Sequence, residues 1–287
     1  MADDSRRWFA VPAPVRALFK LFPLHVYGPE PLPYRAPDPL RPRPALYIFA
    51  EDGEDDEDAT AHRPSFNPSC LKWQTILRIA GVDVDLVPSN NHASPSGALP
   101  FLLPPGPTAC PLTGDKILHY AQQHASQDLP DVSSHRVEAY ESLLTQSLRP
   151  AWLHALYLNP QNEALLRRLY LPSSPLLSYP LHQTLHAAAS AEILKTTRAS
   201  LILPEQLLAD ATSALEALST LLGADEWFLG APGPSPFDAE VFAYTWLLLD
   251  GELGWGDDGL GRRLLRFDNL VAHRERLYQR CWNGKAG

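Results

Sequence analysis

Cysteine is scarce in this chain: Cys70, Cys110 and Cys281 are the only 3 in 287 residues. So sparse and odd a set excludes a disulfide framework and fits a reducing compartment. No C-x-x-C pair and no Cys/His cluster at zinc spacing occurs, so no metal site is expected. His182 and His186 stand at i, i+4, which sets two imidazoles on one helix face. No H-E-x-x-H accompanies them, and the nearest carboxylate along the sequence, Glu192, is six residues on. They read as surface histidines. Long apolar runs are also missing. The stretch Val241 to Leu249 is about half of the ~20 residues a spanning helix requires. A secretory signal is excluded by Asp3 and Asp4 and by Pro12, Pro14 and Pro23, which interrupt any apolar run. Arg6, Arg7, Arg16 and Lys20 lend a faint transit-peptide character, against which the same acids and prolines argue. Positive charge is short, with 24 Lys and Arg against 33 acids and a net charge of −9. That balance argues against nucleic-acid binding and disfavours adherence to an anionic lipid surface by overall charge alone. A soluble protein facing the cytosol is the expectation.

What is present is 45% hydrophobic residues, enough for a core of one or two domains. Residues 1–44 form an extended arm, because ten prolines between Pro12 and Pro44 forbid a long helix or a central strand. Within it Val15, Leu18, Phe19 and Phe22 fall at i, i+3, i+4, i+7 and predict a two-turn amphipathic helix. That helix forms only against its own domain, a partner or a membrane. Trp8, Phe9, Leu18, Phe19, Leu21 and Phe22 are the candidate partner-binding set. The block Glu51 to Asp58, seven acids in eight residues, reads as a solvated loop.

Ala45 to Phe49 is the first strand. Asn67-Pro68 opens a helix that Gly81 stops. Val82 to Val87 alternates apolar and acidic residues and predicts a strand with one buried face. Gly97 to Pro104 predicts another, with Pro100 at its start, and Ala109 to Leu112 a fourth. Thr113-Gly-Asp115 caps a helix with apolar positions at Ile117, Leu118 and Tyr120. Beyond about residue 133 the pattern is helical: 135–158 broken at Pro150, then 161–171, 177–198 and 203–223. In the last of these Leu207, Ala211, Leu215, Leu218 and Leu222 repeat at about 3.6 residues. Ser235-Pro-Phe-Asp238 is a capping box with Pro at the first helical position. It launches a core helix carrying Ala239, Val241, Phe242 and Trp246.

This order of elements resembles the glutathione-transferase architecture. The resemblance rests on Leu99-Pro100, similar to the family's cis-proline turn, on the corner Leu112 to Tyr120, and on the capping box Ser235 to Asp238. It implies an α/β plus all-α fold, with a thioredoxin-like domain over 45–130 and a helical domain over 131–287. It also implies where a glutathione site would lie. In Ser- and Cys-type members the activating residue directly precedes the helix-opening proline, and here that position is Asn67. The hydroxyl that holds the γ-glutamyl carboxylate is replaced by Gly114, with Asp115 beside it to repel the tripeptide. A tyrosine-type site would need Tyr47 at the end of the first strand, whereas it lies inside. Asn67, Pro100, Gly114 and Asp115 thus mark a degenerate glutathione site, with no catalytic residue and no cofactor. Cys70 reads as a small buried hydrophobe.

A narrower resemblance follows from Asn67-Pro-Ser-Cys70-Leu-Lys-Trp73, Gly97-Ala-Leu-Pro-Phe-Leu, Leu112-Thr-Gly-Asp115 and Phe237 to Tyr244. These are similar to segments of the metaxins. That resemblance implies a non-catalytic, peripheral subunit on the cytosolic face of the mitochondrial outer membrane. Its expected partners are the β-barrel core subunit of the sorting and assembly machinery, a second metaxin-like subunit, and β-barrel precursors recognised through their sorting signal. No membrane anchor is expected at the C-terminus, which favours the second-metaxin type. The other metaxin-like subunit and a working glutathione transferase are the alternatives.

Overall fold

In a computed structural model, residues 41–49, 63–130 and 135–283 are described. The candidate set Trp8, Phe9, Leu18, Phe19, Leu21 and Phe22, and the acidic block Glu51 to Asp58, lie outside them.

The first helix, α1 (Pro68–Ile79), begins where the sequence says it should. The Asn67 side chain accepts from the amides of Ser69 and Cys70, and Pro68 supplies a preset first turn. Gly81, at φ +65, ends it. Cys70, Leu71, Thr75, Ile76, Leu77 and Ile79 are all buried. A helix apolar on so many sides must be covered on both faces. One face lies on the sheet and the other on a helix of the second half.

The sheet has order β2-β1-β3. Strand β1 (Ala45–Ile48) is central and buried throughout. It runs parallel to β2 (Asp85–Pro88), with Ala45 opposite Asp85, and antiparallel to β3 (Phe101–Leu103), with Ala45 opposite Leu103. Tyr47 stacks on its cross-strand neighbour Phe101 at 4.3 Å between ring centroids. The Leu99–Pro100 peptide is cis.

Three expectations change here. The β2 strand is shorter than Val82 to Val87 and starts at Asp85. The fourth strand, Ala109 to Leu112, is a single bridge between Leu102 and Leu112. In that register Pro100 falls opposite Gly114 and Pro104 opposite Cys110. Neither proline has an N–H to give, so the ladder cannot extend in either direction. Helix α2 (Asp115–Gln123) has no side-chain cap. Gly114, at φ 56, makes the corner by backbone alone, and the buried positions are Ile117 and Ala121 rather than Leu118 and Tyr120.

The second half opens with α3 (His135–Leu143) and α4 (Arg149–Leu153), continuous through π turns at Leu144–Leu148 and His154–Leu158. The expected break at Pro150 does not occur. A proline there removes one backbone donor and crowds the carbonyl of Gln146; the wider π turn just before it takes up the ring. Next come α5 (Glu163–Tyr170), α6 (Pro175–Thr197) and α7 (Pro204–Leu222). The five residues spaced along α7 are all buried.

Helix α8 (Pro236–Leu248) is capped by the full Ser235/Asp238 box. Ala239, Val241 and Phe242 are core, while Trp246 is half-exposed. The contact between α1 and α8 is the most extensive between any two elements. Lys72 Nζ meets Glu240 Oε2 at 2.8 Å across it. Helices α9 (Gly259–Leu264) and α10 (Asp268–Tyr278) complete the half. At Gly261 a Cβ would lie 2.5 Å from the Leu248 carbonyl oxygen, so glycine is what lets α9 approach α8. Arg78 of α1 donates to the Cys281 carbonyl at 2.8 Å and lies 4.9 Å from the Trp282 ring, tying the chain's last turn to the first half.

Candidate functional site

The junction between the two halves is built from the start of α1. Gln74, buried on α1, accepts from the Ser65 amide at 2.9 Å and donates to the Arg63 carbonyl at 2.9 Å. This clamp fixes the segment that leads into Asn67. Ser65 Oγ then donates to the Phe49 carbonyl at 3.1 Å, joining the end of β1 to the same segment.

Asn67 uses both ends of its amide. Its oxygen caps α1, and its nitrogen donates to the Tyr170 hydroxyl at 3.0 Å. Tyr170 is in turn hydrogen-bonded to Tyr157, and burial pushes both phenols up, Tyr170 well above the ordinary range. Phe49 and Phe66 close around Tyr170 edge-on at 5.2 and 5.3 Å, and Tyr157 lies 5.5 Å away. In this box Phe49 and Phe66 come from the α/β half, and Tyr157 and Tyr170 from the helical half. The donor that would meet a sulfur is directed at a phenol instead.

The remaining residues of the degenerate site stand apart from that box. Pro100 is buried, whereas Gly114 and Asp115 are exposed. Asp115 sits in the first turn of α2, where the helix end stabilises its charge. Tyr47 lies within β1, and its hydroxyl accepts from Arg41 at 3.2 Å. Cys70 is fully buried, and burial pushes its thiol up to about 12 despite hydrogen bonds from the Phe49–Ser65 region. A thiol so placed carries almost no thiolate at neutral pH and is inert. Burial does the same to Cys281, also at about 12.

Two further constellations look chemical and are structural. Asp238 and His273 are fully buried, with Oδ1 and Nε2 2.9 Å apart. Asp238 also accepts from the Phe228 amide at 3.0 Å, the Ser235 amide at 2.9 Å and the Ser235 hydroxyl at 2.5 Å. Serine, carboxylate and imidazole are thus together, but the serine bonds the carboxylate and not the imidazole, and none reaches solvent. This is a capping box with a histidine behind it. The pair His182/His186 has ring centroids 4.3 Å apart. The nearest carboxylate is Glu163 at the start of α5, 3.9 Å from His182 Nε2, rather than Glu192. Glu163 is itself held by Arg167 at 2.7 Å, and His182 is half-buried rather than a surface residue. Among the described residues no group of three or more His, Cys, Asp or Glu is placed to hold a metal ion.

Sequence reasoning found Asn67 and missed Tyr170, Tyr157 and Gln74. Tyr170 lies 103 residues from Asn67, and nothing local signals that pairing.

Residues 68–162 match the family model for the glutathione S-transferase N-terminal domain, and residues 211–277 the one for the glutathione S-transferase C-terminal domain. Two solved structures agree in fold. A glutathione S-transferase of Ceriporiopsis subvermispora in complex with glutathione aligns at TM-score 0.55 and 14% identity, over 84% of this chain and 98% of that one. Glutathione S-transferase III in its apo form aligns at TM-score 0.51 and 14% identity, over 84% and 94%. The chain is therefore a glutathione-transferase-like protein, with an N-terminal α/β half and a C-terminal helical half. Metaxin-3 of Xenopus laevis is 29% identical over 190 residues, 63% of this chain and 61% of that protein. The chain thus spans less than two thirds of its curated relative's length. Its similarity to that metaxin covers only part of each protein, and membership of the metaxin family is a proposal that this similarity supports. No helix among the described residues is long and apolar enough to cross a membrane.

Proposed function

We propose that this protein is a non-catalytic subunit of the sorting and assembly machinery on the cytosolic face of the mitochondrial outer membrane. It receives β-barrel precursors through their sorting signal and caps the barrel-forming core subunit, beside a second metaxin-like subunit. The likeness to Metaxin-3 supports the family role. The observation that carries the non-catalytic reading is the Asn67–Tyr170 hydrogen bond inside its aromatic box. A transferase needs a donor aimed at the thiolate; here the donor is engaged, and Cys70 beneath it is buried.

The test is affinity purification of the tagged full chain from detergent-solubilised mitochondria. Co-purification of an outer-membrane β-barrel protein and a second transferase-like protein is expected. Recovery of the chain alone would count against the assembly role. Retention on glutathione-agarose with turnover of an electrophile would count against the non-catalytic reading.

A further inference from the structure

Acids outnumber bases in this chain, yet none occurs between Glu163 and Glu192. That interval holds Arg167 and Arg168 in the last turn of α5 and the whole first half of α6. It also holds a run of exposed large apolar side chains, including the two most exposed among the described residues: Leu176 at 88% and Tyr179 at 69%, with Leu177 at 62% and Leu181 at 36%. Helix α6 does not need them for its own packing, since its buried residues are Ala189 and Ile193, far down its length. An open groove of about 560 Å³ adjoins them, lined by Arg167, Arg168, Leu171, Pro172, Pro175 and Ser178.

We propose that the start of α6 and the Arg167/Arg168 groove form the surface that lies on an anionic bilayer. The leucines and Tyr179 enter the boundary between headgroups and acyl chains, and the arginines meet lipid phosphate. This deepens the outer-membrane reading and rests on it. Two observations select a lipid surface. Leucine and tyrosine beside arginine is the composition of interfacial helices. An acid-free stretch avoids repulsion from anionic headgroups, although the chain as a whole is acidic. Arg167 shares its charge with Glu163 at 2.7 Å, so apolar entry is the larger contribution and the arginines orient it.

The test is flotation of the purified full chain with vesicles of phosphatidylcholine alone and of phosphatidylcholine with phosphatidylserine. The wild type is expected to float with the anionic vesicles, and more weakly at high salt. Leu176→Glu with Leu177→Glu is expected to lower the bound fraction about tenfold or more, because two charges replace inserted leucines. Acids in a helix's first turn are favourable, so these substitutions leave the melting curve in place. Arg167→Gln with Arg168→Gln is expected to cause a smaller loss and to remove the salt dependence. Failure of the wild type to float overturns the proposal, as does equal flotation of the leucine variant. A concentration-dependent dimer abolished by that variant, without flotation, assigns the patch to a second copy and also overturns it. Co-purification with the barrel protein, measured in parallel, separates the two claims. Its persistence without flotation sinks only the lipid surface. Its absence with flotation intact sinks only the assembly role.

Discussion

Two helix starts in this molecule share a plan and differ in what it serves. Asn67-Pro68 opens α1 and Ser235-Pro236 opens α8, and the two helices lie against each other. At α8 the capping carboxylate of Asp238 is sealed at 0% exposure with acceptors filled by Phe228, Ser235 and His273. At α1 the cap is neutral, partly open, and reaches across to Tyr170. The α8 start is fixed by a closed, buried network. The α1 start is the position where Ser- and Cys-type transferases place their chemistry, and here it has become a strut between halves.

That contrast is open to attack at several points. The widest expected effect is on thiol reactivity. Cys70, one turn into α1, is held at about 12, so it carries roughly a thousandfold less thiolate than an unperturbed cysteine. A thiol reagent at neutral pH should label exposed Cys110 promptly and leave Cys70 and Cys281 untouched until the protein unfolds, as mass mapping would read. Fast labelling of Cys70 would mean that the α1 start is an accessible pocket.

Next in size is Asp238→Ala, which strands the Phe228 and Ser235 donors and His273 in the core. A loss of about 3–5 kcal/mol in urea unfolding is expected. Tyr170→Phe leaves the Asn67 amide nitrogen without its partner, and about 1–3 kcal/mol should be lost. Asn67→Ser separates the two uses of that residue: a cap acceptor stays and the donor that reaches Tyr170 goes. It should cost about as much as Tyr170→Phe, and the two should not add when combined. Additive losses would show that the bond contributes little.

The smallest effect is on pH dependence. His154 lies beside a cavity of about 350 Å³ lined also by Asn159, Glu205 and Asp257. Burial pushes this imidazole below its usual range, and Asp257 opposes that in part. The unfolded chain therefore takes up the proton first as pH falls below about 6.5. Stability should be full above that value and decline on acidification beneath it. His154→Gln should flatten the slope in melts taken across that range.

Much of this was legible from local chemistry. Asn67, Pro68 and Gly81 bound α1, Ser235 and Asp238 declare α8, and the α7 leucines give its buried face, because caps and periodicity act within a few residues. The failures share a different cause. Ala109 to Leu112 has the composition of a strand, but Pro104 opposite Cys110 and Pro100 opposite Gly114 remove the donors a longer ladder needs. Pro150 reads as a break because the π turn that absorbs it has no local signature. Gln74, Tyr157 and Tyr170 read as ordinary helix positions, and their partners lie across a loop or across the junction.

The packing of α1 on α8 has a genetic consequence. Lys72 with Glu240, and Arg78 with the Cys281 carbonyl and Trp282, stitch residues 168 or more positions apart into one interior. A stop codon after the strands would leave α1 bare on one side, and an internal start would do the same to α8. The two halves are therefore inherited together, and a duplicate that carries one of them without the other should be lost to proteolysis.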